Sequence, residues 1–213
     1  MFYIIKLEQS FKYFRKVWEM GRRYDSEKSR KDIMEHAFSL FSQHGYAQTS
    51  VGDISKASGY SKGHIYYHFI NKEKLFVLLA ENTMKEWHEK WLQKERNYQS
   101  AKEKLFGIAE HVLYNYQTPL LKAGQELASN PHSTPESIKQ LYELAIVPMS
   151  VYKKILQEGM DQGEFKKEDI EELTTLLGTW LGGLCQLTNT QELSTLEPLF
   201  KKAITIFYES IKK

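Results

Sequence analysis

From Ile33 onward the apolar residues of this chain recur at intervals of three and four. Ile33, Ala37, Leu40 and Phe41 fall on one helical face, Val51, Ile54 and Ala57 on a second, and Leu75, Leu78, Leu79, Met84, Trp87 and Trp91 on a third. This is the helical period, and alternating runs bounded by turn residues are missing, so the pattern predicts an all-α protein. Start and stop signals divide it. A first helix is predicted from Asp25 or Ser26 to Gly45, where a left-handed C-terminal cap is expected. A short second one is capped by Thr49 or Ser50, has Asp53 in its first turn, and ends at Gly59. Ser61 can cap a third. Asn71 can cap a fourth that reaches about Arg96, on the order of 40 Å at about 1.5 Å per residue.

Further on, helices are predicted over about 100–117, from Pro119 to just before Asn130-Pro131, and from the Ser-Thr-Pro-Glu signal at 133–136. Pro148 should kink or divide that last one. A glycine-punctuated turn follows at 158–165, then two final helices over about 167–188 and 195–212, the second with Pro198 in its first turn.

Composition narrows the class. The 213 residues, 41% hydrophobic and 26% charged with 5 prolines and 12 glycines, describe an ordinary globular chain with enough length for a small domain joined to a larger one. No apolar run reaches the roughly 18 to 20 residues of a membrane span, and MFYIIKLEQS does not read as a secretory signal, so a cytoplasmic protein with no membrane role is expected. The single cysteine, Cys185, lies in a Leu- and Gly-rich stretch and reads as a packed thiol. No phosphate loop, paired-Cys motif or nucleophile triad with supporting context is found, so neither an enzyme nor a cofactor is expected. A net charge of +2 decides nothing, but Lys62, Lys72 and Lys74 form a local basic patch of the kind that attracts phosphate.

The segment YSKGHIYYHF, 60–69, carries the chemistry. Two short helices joined by a glycine turn and supported by a preceding helix form the helix-turn-helix arrangement, whose second helix enters the DNA major groove. Ile65 and Phe69 would pack inward, leaving Lys62, Gly63, Tyr66 and Tyr67 outside. Lys62 can donate to guanine or phosphate, Gly63 allows close approach, and His64 can reach a base edge. Tyr66 and Tyr67 offer hydroxyls to the phosphate ridge, while Thr49, Ser50 and Lys72 stand at helix starts, where free N–H groups favour an anion. His64 and His68, four apart, have the spacing of two metal ligands, but no third ligand is evident and no metal site is expected.

The ordered set Gly45-Tyr46, Thr49-Ser50-Val51, Asp53-Ile54, Gly59, Ser61-Lys62-Gly63, Tyr66-Tyr67-His68-Phe69 and Lys72-Glu73-Lys74-Leu75 resembles the DNA-binding domain of the tetracycline-repressor (TetR) family. The resemblance implies an N-terminal three-helix helix-turn-helix domain, a C-terminal helical domain that binds a small-molecule effector, about nine helices, a homodimer, and repression at a palindromic operator in double-stranded DNA. It places Thr49, Ser50, Ser61, Lys62, Gly63, His64, Tyr66, Tyr67, His68 and Lys72 at the DNA. His64 stands where the family varies. A helical ligand-binding or interaction protein without a DNA role is the other reading left open.

On this basis residues 1–25 are an extension, 26–73 the DNA-binding domain, and 74–213 the connecting, effector-binding and dimerisation part. Lys16-Val17 can be encoded as a ribosome-binding site ahead of Met20, which makes Met20 the expected natural start; if the extension is real, Lys12, Arg15 and Lys16 could add phosphate contacts. Trp87, Trp91, Tyr114, Tyr142, Met149 and Trp180, with Tyr116, Met160 and Phe165, are candidates to line an effector pocket between helices. Gly178 and Gly182, with Phe200 and Phe207 on the last helix, are the candidate dimer contacts, since small residues let helices come close.

Overall fold

A computed structural model describes residues 2–115 and 118–213, with side chains for 25–115, 120–188 and 190–213. Among these, ten α-helices occur: α1 (Phe2–Gln48), α2 (Val51–Ser58), α3 (Lys62–Phe69), α4 (Lys72–Glu95), α5 (Ala101–Asn115), α6 (Thr118–Ala128), α7 (Pro135–Leu144), α8 (Ile146–Asp161), α9 (Ile170–Gln186) and α10 (Leu193–Ile211). A 3-10 turn, Leu187–Asn189, follows α9. α7 and α8 meet at Ala145; counted as one broken helix, they bring the number to nine. Pro148 is the third residue of α8, where its missing N–H costs no helical hydrogen bond, so the chain divides ahead of the proline.

The caps fall where the side chains allow. Ser50 accepts from Asp53 N while Asp53 accepts from Ser50 N, a reciprocal capping box. Ser61 caps α3 through His64 N, and Asn71 caps α4 through Lys74 N. Gly59 closes α2 at φ 75°, in the left-handed region that glycine enters without cost. α1 departs from expectation at its start. Asp25 and Ser26 lie inside a continuous helix, because no proline or turn cluster interrupts residues 22–28. Gly45, at φ 78°, breaks α1, and one further turn follows it. α10 begins at Leu193, so Pro198 lies beyond its first turn. The side chains of Lys12, Arg15 and Lys16, and Tyr116 altogether, lie outside the described residues.

Two cores form. One buries Ile33, Ala37 and Phe41 of α1, Ile54 of α2, Ile65 and Phe69 of α3, and Leu75, Phe76 and Leu79 of α4, together with Leu120, Ala123 and Leu127 of α6. The other gathers Trp87 and Trp91 with apolar residues of α5, α8, α9 and α10. α4 is therefore the wall shared by the two, with α6 in the first alone.

Candidate nucleic-acid interface and effector cavity

α3 has two faces. Ile65 and Phe69 are buried, while Lys62 and Gly63 are exposed, Tyr66 is 46% exposed and Tyr67 77%. Lys62 makes no hydrogen bond or ion pair among the described residues, and its stem passes over Gly52, where a Cβ would lie 3.4 Å from Lys62 Cε. Its ammonium thus hangs beside the N-terminus of α2 and the exposed cap Ser50. A Cβ on Gly63 would meet nothing of this chain closer than Ser61 Oγ at 3.9 Å. Glycine is a poorer helix former than alanine, and no contact among the described residues requires it at this position.

The histidines are held from behind. His64 stacks on Tyr60 at 5.2 Å between ring centroids, and its Nε2 is 3.3 Å from His68 Nε2. His68 Nε2 is also 3.0 Å from Ser29 Oγ on α1. Burial, then the nearby His64 and Arg30, hold the His68 pKa below its ordinary value. One Nε2–H can serve the other ring's lone pair, so His68 orients His64. Tyr60 is itself fixed by its hydroxyl, which donates to Asp32 at 3.0 Å.

Three expected phosphate ligands have other work. Thr49 is 1% exposed, and its hydroxyl donates to the carbonyls of Gly45 (2.8 Å) and Leu40 (3.3 Å), so it clamps the end of α1 and is withdrawn from the surface. Lys72 Nζ donates to the carbonyls of Tyr46 (2.9 Å) and Thr49 (3.0 Å) and lies 3.9 Å from the Tyr46 ring centre. Desolvation lowers its pKa, and Glu126 and Glu73 oppose that. Lys74 donates to Gln140 of α7 at 2.9 Å. Of the predicted basic patch, Lys62 alone has a free ammonium among the described residues.

A cavity of about 430 Å³ lies beyond the shared wall, between α4, α5, α6, α7, α8 and α9. Trp87, Tyr142 and Met149 line it, as the sequence suggested. Other expected members do not. Trp91 is 1% exposed inside the C-terminal core, where Met160 and Phe165 also lie. Tyr114 faces outward, its hydroxyl donating to Glu197 at 2.7 Å. Trp180 faces out beside Phe207, in a groove between α9 and α10. Phe76, Thr83, Asn115, Gly124, Gln125 and Leu141 line the cavity without any periodic or compositional signal that marks them in the sequence. Cys185 also lines it, but burial pushes its thiol up to about 12, so it stays protonated.

The expected dimer contacts are also redistributed. Phe200 and Phe207 are buried in the chain's own core, and a Cβ on Gly178 would stand 2.3 Å from Met149 Sδ, so close approach there is to α8 of the same chain. Gly182 borders the cavity with open space around it. The large apolar residues left outside on α9 and α10 are Leu176, Trp180, Leu193, Leu199 and Ile206.

Phe76 belongs to both regions. It lines the cavity and packs edge-on against Phe41 (5.1 Å) and Tyr46 (5.4 Å) of α1. From α6, the Glu126 carboxylate accepts Ala47 N–H at 3.0 Å and occupies the space where a Cβ on Gly45 would be, 2.6 Å away.

Comparison with known proteins agrees with this division. Residues 33–79 match the family model of bacterial regulatory proteins, tetR family, and residues 83–213 match that of the QacR-like protein C-terminal region. The chain is 28% identical over 182 residues to the HTH-type transcriptional regulator QacR of Staphylococcus aureus, covering 85% of this chain and 97% of that one. It is 34% identical over 125 residues to the probable acrEF/envCD operon repressor of Escherichia coli, covering 58% and 52%. Its fold is similar to that of a transcriptional regulator from Saccharomonospora viridis solved with choline (TM-score 0.75, 22% identity, 88% and 99% covered). It is similar too to FadR from Bacillus subtilis solved with stearoyl-CoA (TM-score 0.69, 21% identity, 82% and 96% covered). The family is one of regulators and not of enzymes, and no helix among the described residues is long and apolar enough to cross a membrane. With a family model matched over more than half its length, a capped helix-turn-helix and a cavity among the C-terminal helices, the chain belongs to the tetR family of bacterial regulatory proteins and is a ligand-responsive, DNA-binding transcriptional repressor.

Proposed function

We propose that the protein works in the cytoplasm as a homodimer that lays two copies of α3 into successive major grooves of an inverted-repeat operator and lets go when a small molecule fills the cavity. The observation that carries this is the outer face of α3, where Lys62, Gly63, Tyr66 and Tyr67 are exposed together with His64 half-buried beside them, while Ile65 and Phe69 anchor the helix. Lys62 and the α2 N-terminus with its Ser50 cap supply positive potential for phosphate, and Tyr66 and Tyr67 add hydroxyl donors. Gly63 lets the DNA backbone or a base edge approach the helix, and His64 reads a base. Few long side chains reach the groove, so DNA shape contributes much of the selectivity.

A second copy covers Leu176, Trp180, Leu199 and Ile206, which together make an apolar face on α9 and α10. A two-fold protein is what a palindromic site requires. The recognition helices must then stand about 34 to 36 Å apart to meet successive grooves. A ligand in the cavity presses on Phe76 and α6, which hold α1 through the Phe41–Tyr46–Phe76 cluster and the Glu126 carboxylate. The conformation with misplaced recognition helices gains population at the expense of the DNA-bound one. The choline and stearoyl-CoA bound by the two structural neighbours differ in charge and size, so the class of effector has to be read from this chain's own wall.

The test is fluorescence anisotropy with duplexes tiling the DNA beside its own coding region, at several salt concentrations. Selective, salt-dependent binding to an inverted repeat is expected. Equal binding to all duplexes, with no salt dependence, would sink the DNA role and leave a helical ligand-binding protein. Sedimentation equilibrium should show a dimer that Trp180→Glu splits.

A further inference from the structure

Taking the cavity as the effector site, its wall restricts what can enter. Among the described residues that line it there is no Asp, Glu, Lys, Arg or His. Most of the wall is aliphatic or aromatic, with Thr83, Asn115, Gln125 and Ser129 as uncharged polar members.

One titratable group stands directly behind this wall. His111, 1% exposed on α5, has its Nε2 3.0 Å from the Trp87 carbonyl, and its Nδ1 lies 3.2 Å from the Asn115 amide nitrogen. A carbonyl only accepts, so Nε2 carries the proton and Nδ1 accepts from the amide. His111 is therefore the neutral tautomer, and burial, which pulls its pKa down to about 4, keeps it so. It supplies no cationic partner for an anion. The Asn115 amide nitrogen is also shared with the His111 carbonyl at 3.1 Å. That leaves Asn115 Oδ1 as the polar atom it can offer the cavity, an acceptor.

We propose that the effector is an electrically neutral, largely apolar molecule that carries a hydrogen-bond donor, such as a hydroxyl or amide N–H. A charged ligand would surrender its hydration without meeting an opposite charge, a loss that aromatic faces such as Trp87 and Tyr152 repay only in part. A neutral ligand gives up little and gains the apolar wall. Asn115 Oδ1 orients it.

Three probes of one three-ring shape separate the classes: triphenylmethanol, neutral with a hydroxyl; methyltriphenylphosphonium, a cation; and triphenylacetate, an anion. Each is titrated into the full chain and followed by tryptophan fluorescence and calorimetry. Triphenylmethanol should bind at least about tenfold more tightly than either ion. Equal or tighter binding of an ion overturns the proposal, provided the cavity variant Gly182→Leu blocks it; the cavity then stands as the effector site with a different ligand class. A Cβ at Gly182 meets no atom within 4 Å, so that variant fills the cavity without forcing the fold apart. If Gly182→Leu leaves every probe's binding unchanged, or none of the three binds, the reading of this cavity as the effector site fails and the proposal with it. Gln125→Glu, which places a carboxylate on the wall, should raise the cation's affinity severalfold relative to that of triphenylmethanol; an unchanged ratio of the two would count against charge as the deciding property.

Discussion

On α3, each exposed side chain lies within a few residues of Ser61, the cap that positions it, whereas the cavity takes Phe76 from α4, Asn115 from α5, Gly124 from α6, Tyr142 from α7, Met149 from α8 and Gly182 from α9. The outer face of α3 is thus a local object. The cavity is a property of how six helices pack. Substitutions should follow the same division: changes on the outer face of α3 alter binding and leave stability nearly intact, while changes at the wall alter both. Phe76 is the exception that joins the two, since it is fully buried in the N-terminal core and also lines the cavity.

The largest effect is therefore expected from Phe76→Ala, which should cost about 3–5 kcal/mol in urea unfolding and uncouple effector binding from DNA release. A cost below about 1 kcal/mol would show that the two regions do not share this wall. Next comes the pH dependence of the C-terminal half. His111 titrates near 6.5 when unfolded and is pulled down to about 4 when folded, so its contribution is fully present above pH 6.5 and is lost as pH falls toward 4. At about 1.4 kcal/mol per unit this amounts to about 3 kcal/mol, visible as a falling unfolding midpoint over that window. His111→Gln should flatten the profile; a profile equally steep in the variant would place the sensitivity elsewhere.

Lys72→Met should follow, at about 1–3 kcal/mol, because two partly buried carbonyls lose their donor. Its effect on DNA would come through the misplaced α1–α2 corner, with the slope of log affinity against log salt almost unchanged. A slope lower by about 1 would return Lys72 to the phosphate contacts. Gly63→Ala splits stability from function most directly: thermal stability should rise, by up to about 1 kcal/mol, while operator affinity falls. A gain in both would remove the argument for close approach at that position. Smallest in stability is Lys62→Ala, with no change in melting temperature, a salt slope lower by about 1 and an altered base preference.

The errors of the sequence reading are informative because each has a local cause. Thr49 beside Ser50 offers two hydroxyls at one helix start, and the pattern does not reveal which turns out to the cap and which turns back to clamp Gly45. Asp25 and Ser26 have cap chemistry, but a cap forms only where the helix stops, and nothing upstream stops it. On α9 and α10 some apolar residues also stand outside the buried face, so period alone could not tell which of them meet the chain's own core: Phe207 does, and Trp180 faces out. At the end of α3 the chain turns through Ile70 at φ 63°, a left-handed conformation that a β-branched residue rarely adopts and that no glycine announces.

What the sequence determined by itself is what short-range forces decide: the caps at Ser50, Ser61 and Asn71, the left-handed turn at Gly59, the inward pair Ile65 and Phe69, and hence the outward set on α3. These depend on hydrogen bonds and side-chain directions within three or four residues. Tertiary structure alone decided which hydroxyls and ammonium groups are occupied, that Thr49, Lys72 and Lys74 serve the fold, that His68 stands behind His64 against Ser29, and that the described residues of the cavity wall carry no charge. Those depend on partners up to more than sixty residues away, such as Gln140 for Lys74, and no periodicity records where a distant helix will lie.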